Sequence, residues 1–509
     1  MVTHAVDLVS VVTTPVSAAE IHYVPASVSW LQIRSDLIGD IPADWLRSHF
    51  SGHLLYTLRT HLSGGRFDRS NEERQQRLIT AASSYDLVEL EAESDLCSEL
   101  LDAIPPGKRM LVWRGPAASV ESLESQFRRL SQCPARYYCM ILSAADTSDG
   151  LRPLSLLKSL SRPDVVAFCG GPLGLWSQLL SPHFGAPLLF GQLHDPARKN
   201  GELSTQQLIA DYGFPSVRPL ERLYGMVGTR IFQSPSPRLH NSACRMLDHP
   251  ALFLPFHSES FDRFWNGMVR SGVLDDLGIP LQGLVIVSPF KEAAVMVADS
   301  SSSRVLKAGS SNVFARSGGR WEAETTDPES IAAIRQLYPV KAAVIGCGGA
   351  GRAIAAALQQ TGSEVTLVNR GLQRGKYAMQ LLDLPFVPLS EFRANGFDVI
   401  VNATPVGKDN DGFPFVMDSM EAQTLVIDLA YGSQPTPLVS AVIARGGTAI
   451  DGYDVLLTQV RKQFYVMTGL EMPAEISREM VLGIGRNVVP QTKAFPVAQG
   501  APEAYEYSA

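Results

Sequence analysis

The stretch AAVIGCGGAGRAIAAALQQTGSEVTLVNR, residues 342–370, decides the fold of this half of the chain. An apolar run ending at Ile345 leads straight into Gly346, Gly348 and Gly351 at GxGxxG spacing. An alanine-rich segment of helical character follows, and a second apolar run, EVTLV, closes the unit. In such a strand–turn–helix–strand, the first two glycines allow a tight turn and close backbone approach to a ligand. The third lets helix pack on strand, and the helix N-terminus faces a pyrophosphate. Gly346, Gly348, Gly349, Ala350 and Gly351 are therefore the candidate dinucleotide cradle. The alternative, a purely structural glycine turn, is disfavoured by the complete βαβ context.

The end of the second strand selects the dinucleotide. An NAD enzyme usually places an acidic residue there to bond the ribose 2′-hydroxyl. Here the residues are Asn369 and Arg370, with Arg374 one helical turn on. Two guanidinium groups offer bidentate, charge-assisted bonds to a 2′-phosphate, so the expected cofactor is NADP. Arginines that merely face solvent are the competing reading.

The bulk properties limit the partners. A chain of 509 residues is too long for one hydrophobic core. Its 45% apolar and 19% charged residues are an ordinary globular composition. A net charge of -7 with no basic run gives no polyanion-binding signal, so nucleic acid is not an expected partner. Six cysteines without CxxC spacing or clustered histidines argue against a disulfide framework and a metal site. The apolar start lacks a basic n-region and carries Asp7, so it reads as a first buried strand and not as a signal peptide. No run reaches the ~18 apolar residues of a membrane helix. A reducing cytoplasm is the expected compartment; no transit peptide is legible, and a plastid stays open. The oligomeric state is not legible.

Over residues 1–220, eight apolar runs alternate with helix-forming segments such as SVESLESQFRRLSQ. The runs start near positions 6, 28, 53, 87, 109, 136, 165 and 187. This is the pattern of an α/β chain with an N-terminal (β/α)8 TIM barrel, and a doubly wound open sheet is its rival. Residues 221–331 form a second expected domain, 332–453 a Rossmann nucleotide-binding domain, and 454–490 C-terminal helices. Residues 491–509 have no period and are expected to be disordered.

One lysine stands out beside this frame. LQGLVIVSPFKEAAVMVAD, residues 281–299, is an apolar strand that breaks on Pro289 and delivers Lys291 to a helix start. Such a lysine is as readily a snorkelling surface group as a functional one. Upstream, Ser234 and Ser236 in SPSP could place two hydroxyls on a carboxylate.

Taken together, these residues resemble the shikimate dehydrogenase family over positions 222–490. The S-x-S-P loop is matched by Ser234 to Pro237, the P-x-K strand end by Pro289 to Lys291, and SSNVF brings Asn312. ETTDP brings Asp327, NATPVG brings Thr404, DLAYGSQPTPL brings Tyr431, and DGYDVLLTQ brings Gly452 and Gln459. The resemblance implies that Ser234 and Ser236 hold the substrate carboxylate, that Lys291 and Asp327 are catalytic, and that Asn312, Tyr431 and Gln459 also bind substrate. It places Thr404 and Gly452 on the cofactor side. The implied reaction is reduction of 3-dehydroshikimate to shikimate, in which a Lys/Asp pair positions the ketone and protonates the forming alkoxide. The implied partner is a small molecule, with no nucleic acid or membrane. One departure bears on substrate identity: the family's asparagine and threonine before the lysine read Val285 and Val287.

Residues 1–220 resemble the type I 3-dehydroquinate dehydratase barrel, to which plants and some bacteria fuse this dehydrogenase. LQIRSD, YTLRTHLSGG and FGAPLLFG stand for its second, third and eighth strands. The resemblance breaks where the chemistry lies. Cys139 occupies the place of the Schiff-base lysine, Arg114 that of the histidine, and Gln32 and Ser63 those of two glutamates. Only Lys108, Lys158 and Lys199 precede residue 220, and none is expected on an interior strand. Without an amine no iminium forms, so the barrel is expected to have lost dehydratase activity. The alternatives are an active bifunctional enzyme, or a dehydrogenase for a related cyclic hydroxy acid such as quinate with the barrel as scaffold.

Overall fold

The computed structural model describes residues 4–194, 201–408, 412–432 and 435–482. The tail 491–509 and Lys199 lie outside the described residues. The chain forms two compact units. Of the described residues, one holds the chain up to Glu221 together with Pro250–Pro280, and the other holds Arg222–His249 and the chain from Leu281 to Leu482.

In the first unit all eight apolar runs become strands: β1 Asp7–Val12, β2 Val28–Arg34, β3 His53–Thr57, β4 Leu87–Glu91, β5 Arg109–Pro116, β6 Tyr137–Ser143, β7 Val165–Gly170 and β8 Leu188–Gln192. Every pairing is parallel, in the order β7-β6-β5-β4-β3-β2-β1-β8. This sheet is a nearly closed barrel. Its interior is filled by Val9, Trp30, Leu55, Leu87, Met110, Val112, Cys139, Val166 and Phe168, and by Leu188 from the last strand. Side chains alternate across each strand, so one inward set per strand suffices to pack the core. Between β7 and β8, Phe168 and Phe190 stand 6.4 Å apart and close the seam. Residues 250–280 pack here too: Thr147 Oγ1 donates to His257 O at 2.6 Å, and the Trp176 and Phe256 rings are 5.5 Å apart.

The second unit holds two sheets. In the first, β9 Arg222–Gly228 runs parallel to β10 Leu281–Ile286, which pairs antiparallel with β11 Val313–Ser317; β11 pairs antiparallel with β12 Arg320–Glu324. The second sheet is all parallel. Its strands are β13 Lys341–Ile345, β14 Glu364–Asn369, β15 Phe386–Pro388, β16 Val399–Asn402, β17 Leu425–Asp428 and β18 Ala449–Ile450. Their order is β15-β14-β13-β16-β17-β18, so the direction of winding reverses between β13 and β16. In open α/β sheets ligands bind at this switch point, outside the carboxyl ends of the strands. Two local features differ from the sequence pattern. Ser236 opens a helix, α1 Ser236–Met246, and is not in a loop, because Pro235 and Pro237 are tolerated at a helix start. Asp327–Leu337, whose sequence DPESIAAIRQL looks like a connecting helix, is a 3₁₀ segment. Among the described residues, no helix is long and apolar enough to cross a membrane.

Candidate active site

β10 ends at Ile286, and helix α2, Lys291–Val295, starts on the lysine itself. Lys291 Nζ donates to both carboxylate oxygens of Asp327, at 2.9 and 2.8 Å. Asp327 is buried, while the lysine side chain keeps 18% exposure. Lys291 is thus a partly exposed cation held by a buried anion, and not a snorkelling surface group.

Two carboxamides complete the set around Asp327. Asn312 Nδ2 donates to Asp327 Oδ1 at 3.1 Å and to Thr326 Oγ1 at 3.0 Å, and Asn312 Oδ1 accepts the Thr326 N–H at 2.8 Å. Gln459 Nε2 donates to Asp327 Oδ1 at 3.4 Å and to Ser330 Oγ at 2.8 Å. A carboxylate has about four lone-pair sites, so Lys291, Asn312 and Gln459 fill Asp327 and fix its orientation.

Helix α6, Gly452–Thr468, ties this quartet to the serine loop. At its start, a Cβ on Gly452 would come within 2.3 Å of Ala430 O and 3.0 Å of Tyr431 Cβ, so only glycine lets the helix approach. Two turns on, Gln459 reaches Asp327. One further turn brings Gln463 to Thr326 at 3.4 Å, on the same face. Phe464 packs its ring 6.1 Å from His240 of α1. The serine loop gathers as a second cluster: Ser234 Oγ donates to Ser236 Oγ at 3.1 Å, and burial raises the Tyr431 phenol while its bond to Ser234 offsets part of the shift. Behind it, His240 Nδ1 bonds Ser236 O at 2.9 Å, and burial lowers this imidazole to about 4. Val285 is buried in register with Met226 and Val313, and Val287 sits against Gly228.

The glycine turn lies beside the lysine. Gly346 has φ +104°, a conformation that favours glycine. A Cβ on Gly351 would meet Gly346 O at 1.8 Å, whereas one on Gly348 would meet nothing within 4 Å. The first pair fixes the turn, and the open face at Gly348, the N-cap of α4 Gly349–Gln360, admits a pyrophosphate. The residues present therefore fit a dinucleotide. A Cβ on Gly349 would stand 3.4 Å from Lys291 Cβ. Asn369 Oδ1 accepts the Cys347 N–H at 3.1 Å, and its Nδ2 donates to Gly371 O at 2.8 Å, which clamps the turn to the end of β14. Arg370 and Arg374 are exposed there, Arg374 on α5 Leu372–Leu382. Thr404 donates from N and Oγ1 to Asn402 Oδ1, at 3.0 and 2.7 Å, and Asn402 Nδ2 donates to Asp428 at 2.8 Å. Burial raises the Asp428 carboxyl.

Sequence reading missed Thr326, Ser330, Gln463 and Arg352. Arg352 is 1% exposed and donates to Ala308 O, at the end of α3 Ser303–Ala308, at 2.8 Å, to Gly309 O at 3.2 Å, Cys347 O at 3.1 Å and Glu292 at 2.9 Å. Its only sequence signal is a charge set in an alanine-rich helix. Among the described residues, no group of three or more His, Cys, Asp or Glu side chains could hold a metal.

The barrel carries a polar cluster at the carboxyl ends of its strands. Glu89 is buried, and accepts from Arg59 Nε at 2.9 Å, Arg114 Nη2 at 2.7 Å, Thr57 Oγ1 at 3.0 Å and Gln32 Nε2 at 3.1 Å. Burial would raise this carboxyl, but Arg59 and Arg114 outweigh it and hold the group well below its usual range. Arg34 bonds Asp36. Cys139 is buried and its thiol is pushed up to about 12. Lys108 donates to Ala82 O and Tyr85 O before β5, and Lys158 donates to Asp276 O from its helix.

A parallel sheet with a glycine turn at its switch point, next to a lysine–aspartate pair, defines a nucleotide-dependent dehydrogenase. The comparisons narrow the class. The shikimate dehydrogenase (NADP(+)) of Gluconobacter oxydans is 31% identical over 266 residues, covering 50% of this chain and 92% of that protein. The chain belongs to the shikimate dehydrogenase family. Residues 12–218 match the type I 3-dehydroquinase family. A chloroplastic bifunctional 3-dehydroquinate dehydratase/shikimate dehydrogenase of Arabidopsis thaliana is 25% identical over 456 residues, covering 83% of this chain and 74% of that one. Among solved structures, the shikimate 5-dehydrogenase of Thermus thermophilus in complex with NADP(H) and shikimate aligns with TM-score 0.46 and 25% identity, over 51% of this chain and 98% of that one.

Proposed function

We propose that the second unit is an NADP-dependent shikimate dehydrogenase, interconverting 3-dehydroshikimate and shikimate, and that the barrel fused to it no longer catalyses dehydration. The observation that carries the first part is the Lys291–Asp327 pair set against the glycine turn. NADPH, when bound, supplies the hydride. Gly346, Gly348, Gly349, Ala350 and Gly351 would hold its pyrophosphate, Arg370 and Arg374 its 2′-phosphate, with Asn369 shaping the turn and Thr404 and Gly452 on the nicotinamide side.

The chain's own groups handle the substrate. Ser234 and Ser236, with Tyr431 beside them, take the carboxylate. Lys291 Nζ sits at the ketone oxygen and delivers a proton to it as negative charge develops. Asp327 keeps that ammonium aimed at the oxygen. Asn312 and Gln459 each donate to Asp327 and, in our reading, exchange that donor for a substrate hydroxyl. Val285 and Val287 favour a second reading, a related cyclic hydroxy acid, because each hydrogen bond they cannot make forgoes ~1 kcal/mol.

For the barrel, the supporting facts are Cys139 at an interior position and the two described lysines bonded elsewhere. The partner of the enzyme is a small molecule. Six free thiols suit a reducing compartment such as the cytoplasm.

The test is reduction of 3-dehydroshikimate with NADPH and, separately, NADH. NADPH should be strongly preferred. No turnover with either nucleotide would sink the proposal.

A further inference from the structure

Glu292 follows the proposed catalytic lysine directly and is half-exposed. Its Oε1 accepts from two arginines at once: Arg352 Nη1 at 2.9 Å and Arg374 Nη2 at 3.3 Å. The two partners differ sharply. Arg352 is buried and anchored by three backbone carbonyls, at Ala308, Gly309 and Cys347, so it cannot turn away. Arg374 is 58% exposed, and Glu292 is its one hydrogen-bond partner among the described residues. Both guanidinium groups lie close enough to the glycine turn to pull down the Cys347 thiol, which burial raises to about 11.

We propose that Glu292 is a specificity-determining residue that competes with the cofactor's 2′-phosphate for Arg374. This rests on the NADP reading above, in which Arg374 is a phosphate ligand. An exposed pair of this length contributes at most ~1 kcal/mol, whereas a phosphate offers a stronger, charge-assisted acceptor. The exchange is therefore favourable. It also strands nothing, because Glu292 keeps Arg352 when Arg374 leaves. The fixed Glu292–Arg352 pair meanwhile holds the start of α2, where Lys291 sits, against the glycine turn. Glu292 thus lowers affinity for the phosphorylated cofactor in two ways: it occupies Arg374, and its own charge repels the phosphate. Both effects act on the 2′-phosphate, which NAD lacks.

The test is calorimetric binding of NADP and NAD to the full chain and to Glu292→Gln, which keeps an acceptor for Arg352 but removes the charge. NADP should bind the variant about two- to fivefold tighter, the equivalent of up to ~1 kcal/mol, with NAD unchanged. In the Arg374→Ala background, Glu292→Gln should give a markedly smaller gain, because the competition is gone and only weaker repulsion remains. If wild type prefers NADP but Glu292→Gln binds it no tighter, or shifts both nucleotides alike, this inference alone is overturned. If the full gain survives in the Arg374→Ala background, competition for Arg374 is likewise refuted. If wild type binds both nucleotides equally, the NADP reading falls, and this inference with it.

Discussion

Each unit buries a carboxylate against cationic side chains, Asp327 in one and Glu89 in the other, and the cations decide what the site can do. In the second unit Asp327 holds Lys291, a compact ammonium that can give up a proton. In the barrel Glu89 holds Arg59 and Arg114, guanidinium groups that stay protonated in proteins. The first arrangement is equipped for acid–base work and, with a ketone in place, for protonating an oxygen. The second has neither a transferable proton nor an amine, and it reads as an ion-paired plug. Burial alone does not mark an active site; the exchangeable proton does.

The comparison breaks most visibly at Lys291. Lys291→Ala should lower turnover of 3-dehydroshikimate by ~100- to 10,000-fold, the usual range for a general acid or base, while NADP affinity stays nearly intact. Asp327→Asn should show a defect of the same order. A loss under about threefold in steady-state assays would show that the lysine is only structural.

The barrel half predicts a stability effect in place of a rate effect. Glu89→Gln leaves two partly buried guanidinium groups, 19% and 18% exposed, without their shared buried anion, and urea unfolding should register a loss of about 3 kcal/mol. Reduction of 3-dehydroshikimate, measured in the same preparation, should be retained below the unfolding midpoint. A loss under about 1 kcal/mol would mean that the arginines are solvated and the cluster is not a plug.

The smallest effect concerns His240, behind the serine loop. Its folded value, about 4, lies below the ordinary 6.5. Between those values the unfolded chain binds more protons than the folded one, so stability is unaffected above about pH 6.5 and falls as pH drops toward about 4. The loss should reach roughly 3 kcal/mol at the bottom of that window. His240→Gln should flatten the slope in pH-dependent denaturation; an unchanged slope would remove His240 from the account.

Much of this was legible in the sequence, for reasons that differ by region. The eight barrel strands show because parallel strands covered on both faces read as continuous apolar runs, spaced by helix-forming segments. The Lys291, Asp327, Asn312 and Gln459 set shows only through spaced motifs resembling a known family, since those residues lie up to 168 positions apart and nothing local links them. Glu89 stayed hidden inside LVELE, because its meaning depends on Arg59, 30 residues away just past the end of β3, and on Arg114, 25 residues away on β5. Arg352 reads as a solvent cation until Ala308 and Glu292, 44 and 60 residues upstream, fold against it. The packing of 250–280 with the first unit follows from contacts such as Thr147 with His257, which no periodicity announces.

The most direct test of the contrast between the two units offers the purified full chain 3-dehydroquinate with NADPH, then 3-dehydroshikimate with NADPH, following nucleotide consumption and product identity. The account predicts that 3-dehydroquinate yields no 3-dehydroshikimate or shikimate, and that NADPH is oxidised to give shikimate as soon as 3-dehydroshikimate is supplied. Formation of shikimate from 3-dehydroquinate alone would contradict it, because it would require a working amine in a barrel whose interior offers Cys139 and arginines held by Glu89.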